Sequence, residues 1–332
     1  MNKRGKFLTF LLLGVVFIFK NYVIVVGQAK PVLVALNKQD ATLAIVDPAA
    51  MKVLAKVATG DSPHEVVLSA DGKTAFVANY GAQTPGSSLS IIDVATAKEI
   101  RRVDLLPLLR PHGLQMIDGK LYFTAEVNRI IARYDPAANK VDWMMGSGQN
   151  ATHMIAGSLD QKKFYTANIG SDSITAFEFQ NVPPAPSKVT HIPVGKQPEA
   201  IDLSPDGKEV WTGLNVDGMV EVIDTAAYKS KEKINIGGRP YRVKFTPDGK
   251  FVVCTMIASK ELLIIDAVTK KEAKRIKLES TPMGIVFSAN GKTAFVTAGQ
   301  PDVVLKIDLD KGEVTGRVET GKVPDGIAVA GM

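Results

Sequence analysis

Residues 240–256 read Pro240-Tyr241-Arg242-Val243-Lys244-Phe245-Thr246-Pro247-Asp248-Gly249-Lys250-Phe251-Val252-Val253-Cys254-Thr255-Met256, and Ile264-Ile265-Asp266 follows shortly after. A β-type run from Val243 to Thr246 meets a Pro-Asp-Gly-Lys turn and a second β-type run, Phe251 to Met256. Pro presets φ at one corner of such a turn. Asp bonds the local backbone, and Gly takes the left-handed position. This is hairpin chemistry. Ile264-Ile265-Asp266 reads as a third strand. Lys271 to Leu278 reads as a fourth, outermost strand of mixed charge, which discourages pairing with other chains.

The unit recurs. Its opening segment appears as Pro63-His64-Glu65-Val66, Pro111-His112-Gly113-Leu114, Thr152-His153-Met154-Ile155, Pro198-Glu199-Ala200-Ile201, Pro240-Tyr241-Arg242-Val243, Pro282-Met283-Gly284-Ile285 and Pro324-Asp325-Gly326-Ile327. Successive copies are 48, 41, 46, 42, 42 and 42 residues apart. A period in the low forties carries four short strands and predicts one propeller blade per unit. The second strands are expected at Thr74 to Asn79, Leu121 to Ala125, Phe164 to Asn168, Val210 to Leu214, Phe251 to Met256 and Thr293 to Ala298.

Two units depart from the pattern. The one opening at Thr152 lacks the turn glycine, having Leu159-Asp160-Gln161-Lys162, and carries the Pro-rich insert Val182-Pro183-Pro184-Ala185-Pro186. The one opening at Pro63 has a longer loop from Tyr80 to Ser88, and such loops tend to carry binding function. The ends complement each other. Val32 to Leu36 begins as a second-type strand with no first strand before it, and Ile327 to Gly331 supplies the missing one. The fold class expected is all-β: a seven-bladed β-propeller of four antiparallel strands per blade, its C-terminal strand closing the first blade.

The repeat, with Phe76-Val77-Ala78-Asn79 and Phe295-Val296-Thr297-Ala298 at matching places, resembles the YVTN family of β-propeller repeats across essentially the whole of residues 30–332. The resemblance implies kinship with a superfamily that includes the haem d1 domain of nitrite reductase, the quinoprotein amine dehydrogenase heavy chain and nitrous-oxide reductase. That superfamily holds binding proteins and enzymes alike, so activity must be argued from the site.

The N-terminus reads as an export signal over residues 1–29. Lys3, Arg4 and Lys6 form a positive region, Phe7 to Phe19 is apolar apart from Thr9, and Gly27-Gln28-Ala29 offers small residues for cleavage before Lys30. Thirteen helical residues rise only about 20 Å, short of a bilayer core. The mature domain is then 30–332, exported to the periplasm or beyond the cell, with membrane contact only if the signal stays uncleaved. Residues 1–29 hold four of the 40 Lys/Arg and none of the 34 Asp/Glu, so the mature chain carries a net charge of +2. Such balance argues against a nucleic-acid partner. A monomer is expected. Cys254 is the single cysteine, which excludes an intrachain disulfide; its apolar surroundings suit a small buried hydrophobe.

The position after each opening Pro forms a ring at one channel mouth: His64, His112, His153, Glu199, Tyr241, Met283 and Asp325. Three of the four histidines share this register, in three consecutive blades; His191 lies outside it. Glu65, Arg110, Arg239 and Arg242 flank the ring. Loops between second and third strands add Asn37, Asn79, Tyr80, Glu126, Asn128, Asn168 and Asn215. Convergent polar groups suit a ligand pocket, for a small molecule or an envelope protein. Tyr241 and Met283 also suit channel-wall packing.

Three imidazoles could instead hold a divalent metal (zinc, copper or magnesium), with Glu199 or Asp325 as fourth ligand or general base. Pro111-His112-Gly113-Leu114 is similar to the Pro-His-Gly-Ile of streptogramin lyases, which are metal-dependent seven-bladed propellers. That likeness implies a lyase or hydrolase role for His112. The haem d1 resemblance implies a tetrapyrrole with His64, His112 or His153 on iron. A purely structural role, with imidazoles bonding backbone at blade junctions, stands beside these. A phosphate-cradling Gly-rich loop, a Cys pair for zinc or haem attachment and a Gly-x-Ser-x-Gly elbow are all missing from the sequence.

Overall fold

The computed structural model describes residues 31–332. The signal expected at 1–29 lies outside the described residues. Among the described residues, no helix is long and apolar enough to cross a membrane.

Seven four-stranded antiparallel sheets surround a central channel. In the sixth blade the strands Pro240–Phe245, Phe251–Met256, Glu261–Asp266 and Glu272–Lys277 run from the axis outward. The other blades repeat this order. Second strands start within one residue of their expected positions: Lys120–Ala125, Lys163–Asn168 and Glu209–Leu214 begin one earlier, while Thr74–Asn79 and Phe251–Met256 coincide. The middle strands are buried almost throughout and the outer ones mostly exposed, as in Lys229–Asn235. Cys254 is fully buried, and burial pushes its thiol up to about 12.

Turn chemistry is the same in most blades. Gly72, Gly207, Gly249 and Gly291 sit at φ near +70°. In the fourth blade Gln161 adopts the same left-handed conformation, at φ +60°. Its side chain is buried and accepts a hydrogen bond from the Tyr122 hydroxyl at 2.7 Å, which helps offset the strain of a non-glycine residue there.

The chain ends close the ring. Pro324–Ala330 pairs antiparallel with Val32–Asn37, with Val32 opposite Ala330 and Ala35 opposite Ile327. The strand starts three residues before the expected Ile327, because the segment that opens each repeat is itself part of the innermost strand. Ile327 and Ala328 are buried between the blades they join. Deleting residues 327–332 should cost at least about 3 kcal/mol, since loss of one buried Ile side chain alone costs about 2–5 kcal/mol. Urea denaturation of full and shortened chains reads this directly, and equal midpoints would contradict the closure.

Candidate functional site

The ring residues owe their orientation to a bulge. In every blade the pairing of the innermost strand with its neighbour slips just after the opening residue. In the second blade Pro63 faces Asn79 and Glu65 faces Ala78, so His64 has no partner across the ladder. His153 and Tyr241 are skipped in the same way. Proline donates no hydrogen bond and suits the start of a strand, and the bulge re-aims the next side chain toward the axis. In the third, sixth and seventh blades a threonine on the second strand satisfies the backbone that the bulge frees. Thr124 accepts from the Gly113 N–H and donates to the His153 carbonyl, at 2.9 and 2.6 Å. Thr297 does the same for Gly284 and the Asp325 carbonyl. Thr255 does it for Arg242 and Met283. Each strap ties one blade to the next. Sequence reading missed them, although a threonine recurring in the second strand was visible.

The upper end of the channel, where the innermost strands begin, holds two principal clusters. The first spans the second to fourth blades. The His64 ring stacks on Tyr80 at 4.4 Å, and Arg110 lies over the other partner of that stack, 4.5 Å from the Tyr80 centroid. His64 Nδ1 is 3.2 Å from His112 Nε2. His112 meets His153 nearly face to face, with centroids 3.6 Å apart. His153 Nδ1 bonds Glu126 at 2.8 Å, and the Tyr80 hydroxyl donates to the same carboxylate at 3.1 Å. The long loop after Tyr80 is drawn in by Arg110, whose guanidinium donates to the Gly81 and Ala82 carbonyls. Gly81 and Gly86 make that loop possible, since a Cβ at either would overlap its backbone.

The second cluster crosses the axis. Arg242, 5% exposed, bonds Glu65 and lies 3.6 Å from Asp325. Lys38 reaches Asp325 at 3.0 Å, and the Tyr241 hydroxyl donates to it at 2.9 Å. In the fifth blade Glu199 accepts from Asn215 and faces Arg239 at 3.9 Å. Tyr241 is therefore an ion-network partner as well as wall. Met283 lends its carbonyl to a strap, and its side chain enters no recorded bond.

Several expected ligand residues are spent inside the blades. Asn79 is buried, donates to Ser88 and Ser90, and accepts from the Gly60 N–H. Asn168 is held by Thr152, Thr166, Ser173 and Thr175. Asn37 donates to Thr42 and the Thr320 carbonyl. Asn128 holds the loop before Arg110. These amides brace strand ends and do not face a pocket. His191 lies on an outer strand and donates to the Ser147 carbonyl.

Burial sets the protonation. It pushes His64 down to about 3 and holds His112 well below the usual imidazole value, so both rings are neutral near pH 7. Burial alone would raise Glu126, but His153 and Tyr80 outweigh it and hold the carboxyl below its usual range. Burial opposes Asp325 in the same way, and Lys38 and Arg242 prevail. Burial raises the Tyr80 phenol to about 12 and the Tyr241 phenol well above 10.

The three imidazoles gather but do not converge as metal ligands. Ring nitrogens point outward in the ring plane, whereas His112 and His153 face each other across their flat sides. His64 Nδ1 is turned to His112 and His153 Nδ1 to Glu126. Among the described residues no three His, Cys, Asp or Glu side chains are grouped to hold a metal ion. For haem, an imidazole would have to offer an in-plane nitrogen, and His64 Nδ1 is turned to His112 while His153 Nδ1 is bonded to Glu126. No hydrogen bond joins the expected acid–base pair, His112 and Glu199, which belong to separate groups.

A seven-bladed propeller whose ring of inward side chains crowds one end of the channel defines the class. The chain belongs to the YNCE-like beta-propeller family, whose model matches residues 20–182 and 179–331. Antigen Lp49 of Leptospira interrogans serogroup Icterohaemorrhagiae serovar copenhageni (strain Fiocruz L1-130) is 27% identical over 176 residues, 46% of this chain. The chain covers only 37% of that relative's length. Among solved structures, the dihydro-heme d1 dehydrogenase NirN in complex with DHE superposes with a TM-score of 0.64 at 14% identity, covering 91% of this chain and 75% of that one. A functionally unknown protein from Desulfotomaculum acetoxidans DSM 771 gives 0.75 at 11% identity, covering 90% and 98%. These likenesses extend to the fold.

The histidine pair makes stability depend on pH. A histidine whose pKa is depressed by folding binds its proton in the unfolded chain first. Stability is therefore full above about pH 6.5 and falls as the pH drops toward about 3, where His64 itself protonates. Each such histidine contributes a slope of up to about 1.4 kcal/mol per pH unit in that window. The double variant His64→Asn/His112→Asn should flatten the acid limb of a stability–pH curve between pH 6 and 4. An unchanged slope would show that the two rings are not held neutral.

Proposed function

We propose that the chain is an exported binding module that takes a small polar ligand at the upper mouth of the channel, in the quadrant of His64, His112 and His153. One observation carries the reading. His112, 2% exposed, has no partner for Nδ1. In either tautomer it leaves a buried donor or acceptor unpaired, at a cost of about 1–3 kcal/mol. Asn215 Oδ1, beside Glu199 in the fifth blade, is orphaned as well. Unpaired groups of this kind at a channel mouth favour a ligand that supplies the missing bonds. His64, Arg110, Lys38 and Arg239 stand at the entrance with part of their surface in solvent.

The reading is a binding role. His153, oriented by Glu126, bonds no serine, threonine or cysteine side chain among the described residues, and the His64 Nε2 contact with the Ser62 hydroxyl is long, at 3.4 Å. The likeness to a haem d1 enzyme, at 14% identity, is a likeness of fold.

Thermal shift against a panel of sugars, amino acids and dicarboxylates tests the site. At least one compound should raise the Tm of the native chain by several degrees and leave a His64→Ala/His112→Ala/His153→Ala variant unmoved. Compounds that stabilise both equally, or none that stabilises either, would sink the proposal. Export has its own check: N-terminal sequencing of protein recovered from the cell envelope should begin at Lys30. A chain retained in the membrane with residues 1–29 intact would contradict cleavage.

A further inference from the structure

The orphaned nitrogen of His112 is a donor or an acceptor according to where its ring carries the proton, and the neighbouring ring decides that. His64 Nδ1 and His112 Nε2 face each other at 3.2 Å. Burial keeps both rings neutral, so each carries a single proton and a bond between them needs a hydrogen on one side only. If His64 donates, the His112 proton sits on Nδ1 and becomes a buried N–H with no acceptor. If His112 donates, its Nδ1 is a bare lone pair. His64 then carries its own proton on Nε2, toward the half-buried Ser62 hydroxyl at 3.4 Å. The second arrangement is favoured twice. It puts both rings in the Nε2–H form, the more stable tautomer of a neutral histidine side chain. It also avoids an unpaired buried N–H, which proteins tolerate less well than an unpaired acceptor. His112 Nδ1 is therefore an acceptor without a donor.

A second such acceptor is fixed independently. A carboxylate only accepts, so Glu199 holds Asn215 by Nδ2 and leaves Oδ1 without a partner. The two orphans stand in the third and fifth blades, at the same end of the channel. The charges around them are matched. His153 and Tyr80 hold Glu126, Arg242 bonds Glu65, and Lys38 and Arg242 flank Asp325. Glu199 faces Arg239 at 3.9 Å, and Arg110 donates to the Gly81 and Ala82 carbonyls. A charged ligand group would have to compete with these pairs, and breaking a buried pair is costly. An uncharged hydroxyl needs no counter-ion. It donates to an orphan acceptor and can accept in turn from the half-exposed Arg239 guanidinium.

We propose that the upper-mouth site, on whose existence this depends, takes a neutral polyhydroxyl compound of the saccharide or cyclitol class, whose hydroxyls donate to His112 Nδ1 and Asn215 Oδ1. Both atoms are covered in the free chain, so rim side chains turn aside as the ligand enters, a change common at binding surfaces.

Imidazole nitrogen NMR shifts of the isotope-labelled mature chain read the tautomer with no ligand present. At neutral pH His112 should show a pyridine-like Nδ1 and a pyrrole-like Nε2. Thermal shift then compares glucose, maltose and myo-inositol with their fully O-methylated forms, with succinate and with putrescine. At least one polyol should raise the Tm by several degrees. Its methylated form, which accepts but cannot donate, should not. Affinity for that polyol should fall about tenfold in His112→Phe and in Asn215→Leu, the effect of one lost hydrogen bond. Where circular dichroism shows that one variant fails to fold, the other variant and the methylated pair decide. A pyrrole-like Nδ1 on His112, a methylated polyol that binds as well as its parent, or unchanged affinity in a folded variant would overturn the proposal. Succinate or putrescine stabilising the chain where no polyol does would overturn it and leave the upper-mouth site standing. No stabilisation by any of these compounds would overturn both.

Discussion

A blade has two apolar faces, and neither can be left in water. This single constraint, that every sheet must be covered on both sides by another sheet, governs the rest of the molecule. It is met only if the ring closes. The chain does so by giving its first blade a strand from its other end, so that Leu33, Ala35 and Val46 pack with Phe295 and Val304 of the last blade. On the opposite face Val34 and Leu36 pack with Val66 and Val77 of the second. Without that strand the first blade would lose its axial edge and Asp325 its place in the channel.

Closure also creates a difficulty at the axis. Seven innermost strands approach one another with their inner edges unpaired. The structure answers with a repeated bulge just after the opening residue, which turns one side chain per blade inward. In three blades the freed backbone is satisfied by threonine straps to the next blade. The fold therefore demands a ring of seven inward side chains but leaves their chemistry open. Here that freedom has been used unevenly. Three neighbouring blades carry histidine, and two others supply Tyr241 and Asp325 to an ion network around Arg242.

The network and the histidines have opposite electrostatic characters. Arg242, Lys38, Glu65 and Asp325 remain mutually compensated in a buried setting, where removal of one partner would strand another. His64 and His112 are kept neutral by the same burial, and the orphaned nitrogen of His112 shows that the cluster is not fully satisfied from within. The Arg242–Glu65 bridge thus acts as a partition: imperfectly paired groups lie above it, and a chamber whose charged side chains are paired lies below.

The sequence by itself determined the blade count, the strand boundaries to within a few residues, the pairing of the chain ends and the membership of the ring. These follow from local turn chemistry and a period that each repeat states again, so no single ambiguous residue could mislead. It also placed His64, His112 and His153 in one register. Tertiary structure alone decided what those residues do. Asn79 and Asn168 were legible as polar residues near the mouth, yet their amides turn inward to brace strands. The three histidines were legible as a set, yet His64 points a ring nitrogen at His112 while His112 and His153 turn flat faces to each other, so the three do not converge on one point. Arg242 meets Glu65 across the axis, a contact between residues 177 positions apart. The physical reason is common to all of these: a repeat fixes where a side chain leaves the backbone, while its partners come from other blades, and only the closed ring brings them within bonding distance.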